Sequence, residues 1–198
     1  MKKILLFIAI FAVSLNMQAQ EKMFVWQNGV KTDFVVTDVD SITFNQLTGN
    51  GHEYVDLGLP SGTLWATCNV GANKPEEYGD YFAWGEVNKK ASYTKKNSKT
   101  YAKSSYNRDI GGDKSLDAAS ANWGGSWRLP TKAECIELID RCTWKWTTQK
   151  GVRGYKVTGP NGNSIFLPAA GFRNWSSLYD AGEFGLYWSS TPYESDSY

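Results

Sequence analysis

Histidine is almost absent from this chain. The 198 residues hold one, His52. Nothing near it resembles a nucleophile motif, so a Ser-His-Asp or Cys-His arrangement has no local support. Net charge is equally scarce: 21 basic and 20 acidic side chains leave a formal charge of +1, which offers no general attraction for nucleic acid or an anionic membrane. The apolar run Ile4 to Leu15 is only twelve residues, short of the roughly 20 that a helix needs to cross a bilayer core, so no transmembrane anchor is expected. Carboxylates are scattered. Asp33, Asp38 and Asp40 sit near the N-terminal end, and no spacing resembles a calcium loop, so neither a metal ion nor a cofactor is expected. Paired carboxylates for glycoside hydrolysis are proposed by no local feature. No cysteine precedes Cys68, which argues against a lipid on a new N-terminal cysteine.

Aromatic residues and glycine are what the chain has in quantity: nine Trp, eleven Tyr, nine Phe and 19 Gly. That mixture suits a compact, loop-rich extracytoplasmic protein. Residues 1–19 read as an export signal, with Lys2 and Lys3, then the apolar run, then a short polar region ending near Ala19. Its removal would turn the formal charge slightly negative and leave enough chain for one ordinary domain with a small addition. The expected location is therefore the periplasm, the outer-membrane surface or the extracellular space.

Residues 20–50 read as a β-hairpin leader and linker. KMFVWQ and the run from Lys31 to Val36 flank Asn28-Gly29, the commonest two-residue hairpin signal, and Val39, Ile42 and Phe44 continue the apolar pattern. Gln46 to His52 has linker composition, which places a boundary near Gly51. Residues 51–198 read as the main domain. Strands are expected from Glu53 up to a Gly-Leu-Pro-Ser-Gly turn and at Thr63–Cys68 after it, in the aromatic run Tyr78–Glu86, in a hairpin spanning 154–168, and at Gly185–Pro192. Val87 to Lys114 interleaves lysines with Tyr93, Tyr101 and Tyr106. With so little net charge, a solvated loop pinned by its tyrosines outweighs a nucleic-acid surface. Ser115–Asn122 reads as a short helix.

The clearest element follows in NWGGSWRLPTKAECIELIDRCTW. Thr131 and Glu134 form a capping box behind Pro130, and Cys135, Leu138, Ile139 and Cys142 fall at i, i+3, i+4 and i+7, so an amphipathic helix should begin there. Three cysteines in an exported chain invite one disulfide and one leftover thiol. Cys135 and Cys142 would stand about 10.5 Å apart on a continuous helix, too far to bond, but counting leaves the pairing open.

Six ordered blocks, EYVDLGLPSGTLWATCNVGA, YGDYFAWGE, WGGSWRLPTKAE, CTWKW, NGNSIFLPAAGFR and GLYWSSTP, together resemble the major paralogous domain family named for Fibrobacter succinogenes. The match covers about residues 53–192, and the VDSITF run resembles the leader that often precedes such domains. The resemblance implies a C-type-lectin-like α+β fold with short antiparallel sheets and two small helices. It also implies one or two further strands after YWSST, closing with an arginine-containing strand, so the chain is expected either to be a C-terminally truncated copy or to have the edge left open there covered by something else. The WRLPT block is similar to one in the formylglycine-generating, sulfatase-modifying family. That likeness raises an enzymatic alternative, although the late cysteine pair of its oxidases has no counterpart after Cys142. Cys68 and Cys142 lie in blocks of the resemblance, which implies a Cys68–Cys142 disulfide with Cys135 a buried thiol.

Trp65, Trp84, Trp127 and Trp188 sit in strand-like or glycine-adjacent blocks and read chiefly as core. The candidate ligand-binding set is Arg173, Asn174, Trp175, Tyr187 and Trp188, with Trp175 the best exposed of them and Arg173 and Asn174 able to add hydrogen bonds. The function expected is a non-catalytic recognition or adhesion module for a glycan or a surface protein. A structural role in a surface assembly, with the leader hairpin as a docking strand, is the other alternative.

Overall fold

The computed structural model describes residues 22–27, 30–35, 48–49, 51–101, 103 and 106–192. The chain divides into two compact units, Met1–Asn45 and Gln46–Tyr198. In the first, β1 (Lys22–Gln27) pairs antiparallel with β2 (Val30–Val35), and Gln27 opposite Val30 leaves two residues for the turn. That is the hairpin expected from Asn28-Gly29. The turn residues themselves, the signal-like residues 1–19 and the run through Val39, Ile42 and Phe44 lie outside the described residues.

The second unit is a mixed α+β domain of small antiparallel sheets with two short helices. β3 (Thr48–Gly49), β4 (His52–Asp56) and β5 (Leu64–Ala66) form one sheet. The division between units therefore falls before the expected boundary near Gly51, because Thr48 and Gly49 already pair with Glu53 and His52. β6 (Thr143–Gln149), β7 (Val152–Thr158) and β8 (Ser164–Pro168) form a second sheet, and β9 (Phe172–Asn174) with β10 (Ser177–Tyr179) a third. Lys150 and Gly151, both at positive φ (46° and 85°), turn β6 into β7. Among the described residues no helix is long and apolar enough to cross a membrane.

Helix α1 (Ala118–Trp123) is capped by Asp117, whose fully buried carboxylate accepts from the amides of Ala119, Ser120, Gly112 and Leu129. One side chain thus closes a helix end and two loops, satisfying donors that would otherwise be stranded. Helix α2 (Lys132–Arg141) carries the expected capping box of Thr131 and Glu134. Its apolar face is narrower than the periodicity suggests: Leu138 is buried, Ile139 is 60% exposed, and Cys142 is already the extended C-cap. Leu138 joins Leu57, Leu59, Val157 and Ile165 in the main core, with Trp65, Trp144 and Leu167 packed against it. Full burial of each such side chain contributes about 1.5–3 kcal/mol.

Two expected strands do not form. Tyr78–Glu86 is irregular because Gly79 and Gly85 take positive φ (74° and 69°) and its polar groups bond to side chains and loops instead of a ladder. Gly185–Pro192 forms no strand: Gly185 bridges Gly171, Ser190 donates to Pro130 O and accepts from Ile110 N, and Ser190 and Thr191 bend, so its backbone is tied to separate loops rather than to one ladder among the described residues.

Candidate functional site

The domain holds a groove of about 1210 Å³, lined by residues that include the β5 edge, β8, the irregular segment 78–86 and the segment 184–188. Its walls are mostly aromatic and aliphatic, which follows from where the irregular segments are tied. Trp188 Nε1 donates to Phe82 O (2.9 Å) and Trp84 Nε1 to Ser189 O (2.9 Å), so two indoles lace the segments together by their nitrogens and leave ring faces to line the space. Tyr81 donates to Ala170 O (2.6 Å) and Tyr187 to Pro168 O (2.7 Å). The hydroxyl end of Tyr187 is sunk while its ring face stays open, and burial of that end pushes its pKa up to about 12, against a smaller opposing effect of the Asn69 amide.

Charge at the groove is confined to its borders and already committed. Buried Glu86 accepts from Lys90 Nζ (3.0 Å) and Lys99 N (2.8 Å). Asp80 pairs with Lys89 (2.9 Å). Arg128 forms a two-pronged pair with Glu134 (2.6 and 2.8 Å), and the guanidinium, with Thr63 and Thr131 added, holds the Glu134 carboxyl far below the usual range. At Asp109, burial opposes ionisation, but bonds from Gly111 N, Thr191 and Ser190 outweigh it and lower the pKa. Among the described groove-lining side chains, Trp65 Nε1 is sealed from water with no acceptor.

Of the expected ligand-binding set, Arg173, Tyr187 and Trp188 line the groove. Arg173 lies over the Tyr81 ring (5.2 Å to the centroid) and donates to Ser176 O. Trp188 is 51% exposed, so its assignment to the core is corrected: among the described residues no strand covers 184–188, and the ring closes no core. Asn174 and Trp175 lie outside the groove, at the tip of the β9–β10 hairpin. Trp175 is 66% exposed at φ 55°, and its backbone exchanges two hydrogen bonds with Tyr93 (2.9 Å each). Tyr93 in turn donates to Tyr81 O, so the lysine-rich loop is pinned by this tyrosine as expected.

Sequence reasoning missed Leu64, Ile139, Trp146, Phe184 and Leu186, all large, exposed and groove-lining. The alternation in CTWKWT was the available signal for β6, on which Trp144 and Trp146 share one face and both meet the Tyr155 ring, Trp144 packed against the core and Trp146 41% exposed beyond it. The implied Cys68–Cys142 disulfide is not formed. All three cysteines are thiols; Cys68 Sγ donates to Ala72 O (3.3 Å), and burial raises the pKa of each. Cys135 is partly rather than fully buried. His52 belongs to β4 rather than to a linker, stacked on Trp123 at 4.3 Å. Among the described residues no group of three His, Cys, Asp or Glu side chains is placed to hold a metal ion.

In comparisons with known proteins, no family model, no curated protein and no solved structure matches the chain.

Proposed function

We propose that the domain is a non-catalytic recognition module, of C-type-lectin-like architecture within its α+β class, that binds a glycan or a protein segment at the cell envelope. The observation that carries this reading is the groove of about 1210 Å³ with exposed Trp188, Tyr187 and Leu186 on its wall. Apolar, concave surfaces of this size are where ligands bury their own surface. A binding role is favoured over catalysis by the state of the polar groups. Tyr81, Tyr187, Glu86 and Arg128 each hold a structural partner, which leaves none poised on a reacting atom.

The test is a glycan array and a pull-down of envelope proteins with the exported chain, repeated with Trp188→Ala. Ligand capture that the variant loses supports the reading. Turnover of a substrate with no ligand captured in either assay reverses it.

A further inference from the structure

Two strand edges open into the groove. In an antiparallel ladder a residue turns its N–H and C=O to the same neighbour, and the direction alternates along the strand. The bond from Thr67 N to Glu53 O (3.1 Å) fixes the phase of β5: Trp65 addresses Val55, whereas Leu64 and Ala66 turn their backbone groups away from β4. The bond from Ala169 N to Arg153 O (2.8 Å) does the same for β8. There Ile165 and Leu167 address β7, and Phe166 and Pro168 turn outward. Pro168 O is taken by the Tyr187 hydroxyl. The outward amides and carbonyls of Leu64, Ala66 and Phe166 meet no partner among the described residues.

All three residues line the groove; Leu64 is 46% exposed and Ala66 half-buried, whereas Phe166 is only 4% exposed, so it is there that water supplies the backbone poorly. Buried backbone groups without partners are rare because each forfeits a hydrogen bond. The orphan indole Nε1 of Trp65, another groove-lining residue, adds a fourth unmet donor. Around these groups Ile139, Trp146, Phe184, Leu186, Tyr187 and Trp188 stand 41% to 65% exposed. Those six largely apolar side chains gather around one concavity, and exposed apolar residues grouped in this way mark an interaction site rather than ordinary surface.

We infer that the groove accepts an extended, apolar β-strand supplied by another polypeptide chain, laid along the free edges of β5 and β8. The inference rests on the recognition reading and narrows its ligand from glycan or protein to a protein strand. Such a strand brings alternating amides and carbonyls to the unmet backbone groups and alternating apolar side chains to the aromatic walls. A glycan needs many free polar side chains, and here they are engaged. A second copy placed groove to groove would set one concavity against another, which a two-fold contact between identical patches cannot fill.

The full chain is titrated with a peptide of about ten residues alternating Val or Phe with Thr or Lys, and with the same peptide carrying central prolines. A β-1,4-glucan hexasaccharide forms the third arm. Expected are binding of the alternating peptide, loss of about tenfold or more in affinity for the proline peptide, and slowed amide exchange at Leu64, Ala66 and Phe166. Leu186→Ser, at a side chain 65% exposed and so without cost to the fold, weakens the peptide by about fivefold. Peptide binding without protection of those amides overturns the inference. So does self-association that Leu186→Ser abolishes. Hexasaccharide binding in place of the peptide defeats the strand but leaves the recognition reading standing, and binding of neither ligand defeats both.

Discussion

Around α2 the Glu134 carboxylate gathers Arg128, Thr63 and Thr131, and behind it Asp117 takes four amides. Along the groove, by contrast, the outward backbone groups of Leu64, Ala66 and Phe166 meet no partner among the described residues, while Leu186 and Trp188 face solvent. Both regions are built from Leu, Trp, Tyr and glycine-rich turns, so composition does not separate them. What separates them is closure: near α2 each irregular turn is sealed by a short polar side chain, whereas the groove's irregular segments are held by aromatic hydroxyl and indole groups that leave their rings uncovered.

The sharpest way to break this comparison is a truncation on each side. Leu57→Ala, at a fully buried core position, is expected to cost about 3–5 kcal/mol, whereas Leu186→Ala costs under about 0.5, both read by denaturant unfolding. Equal costs would mean that the groove is closed in solution. Asp117→Ala strands four amides and is expected to cost about 3 kcal/mol, seen as a lower midpoint and faster exchange at Gly112 and Leu129.

Glu134→Gln tests the α2 anchor through pH. Because the Arg128 guanidinium holds the Glu134 carboxyl well below 4.5, its stabilisation is complete above that pH and drains away as pH falls below it. The variant should lose about 1–2 kcal/mol at neutral pH, allowing for the partial exposure of Arg128, and converge on the parent in acid. A constant gap between the two melting curves across pH would deny the pair its role. A modest effect is expected at a groove hydroxyl. Tyr187→Phe removes one phenol titrating at about 12 from the ultraviolet difference titration, at a stability cost of about 1 kcal/mol.

How far the sequence could be read follows the same line. The Thr131 cap and the Asn28-Gly29 hairpin were legible because each is decided by residues within four positions of one another. The 154–168 hairpin was legible for the same reason, through its Gly159–Asn163 turn. Strand β6 was not singled out, since Trp144 and Trp146 look alike in sequence and differ only in what lies over them. Tyr78–Glu86 has the side chains of a strand, and only the positive φ of Gly79 and Gly85 shows that no ladder forms. Of the candidate ligand residues, Trp175 was rightly read as exposed but stands away from the groove, because two-residue turn geometry carries it to a hairpin tip. Exposure of Trp188 could not be read locally: a GLYWSST run has the same pattern whether or not another strand covers it.

Trp175 has a further consequence. A side chain other than glycine at φ 55° holds the backbone in a conformation that costs about 1 kcal/mol, and this one is also the most exposed tryptophan of those with large exposed area. Trp175→Gly should therefore relieve the turn while keeping its backbone bonds to Tyr93, and raise the melting temperature. The hairpin tip is thus a place where robustness and display pull apart, and selecting variants for heat resistance alone would erase the indole that the turn holds out to solvent.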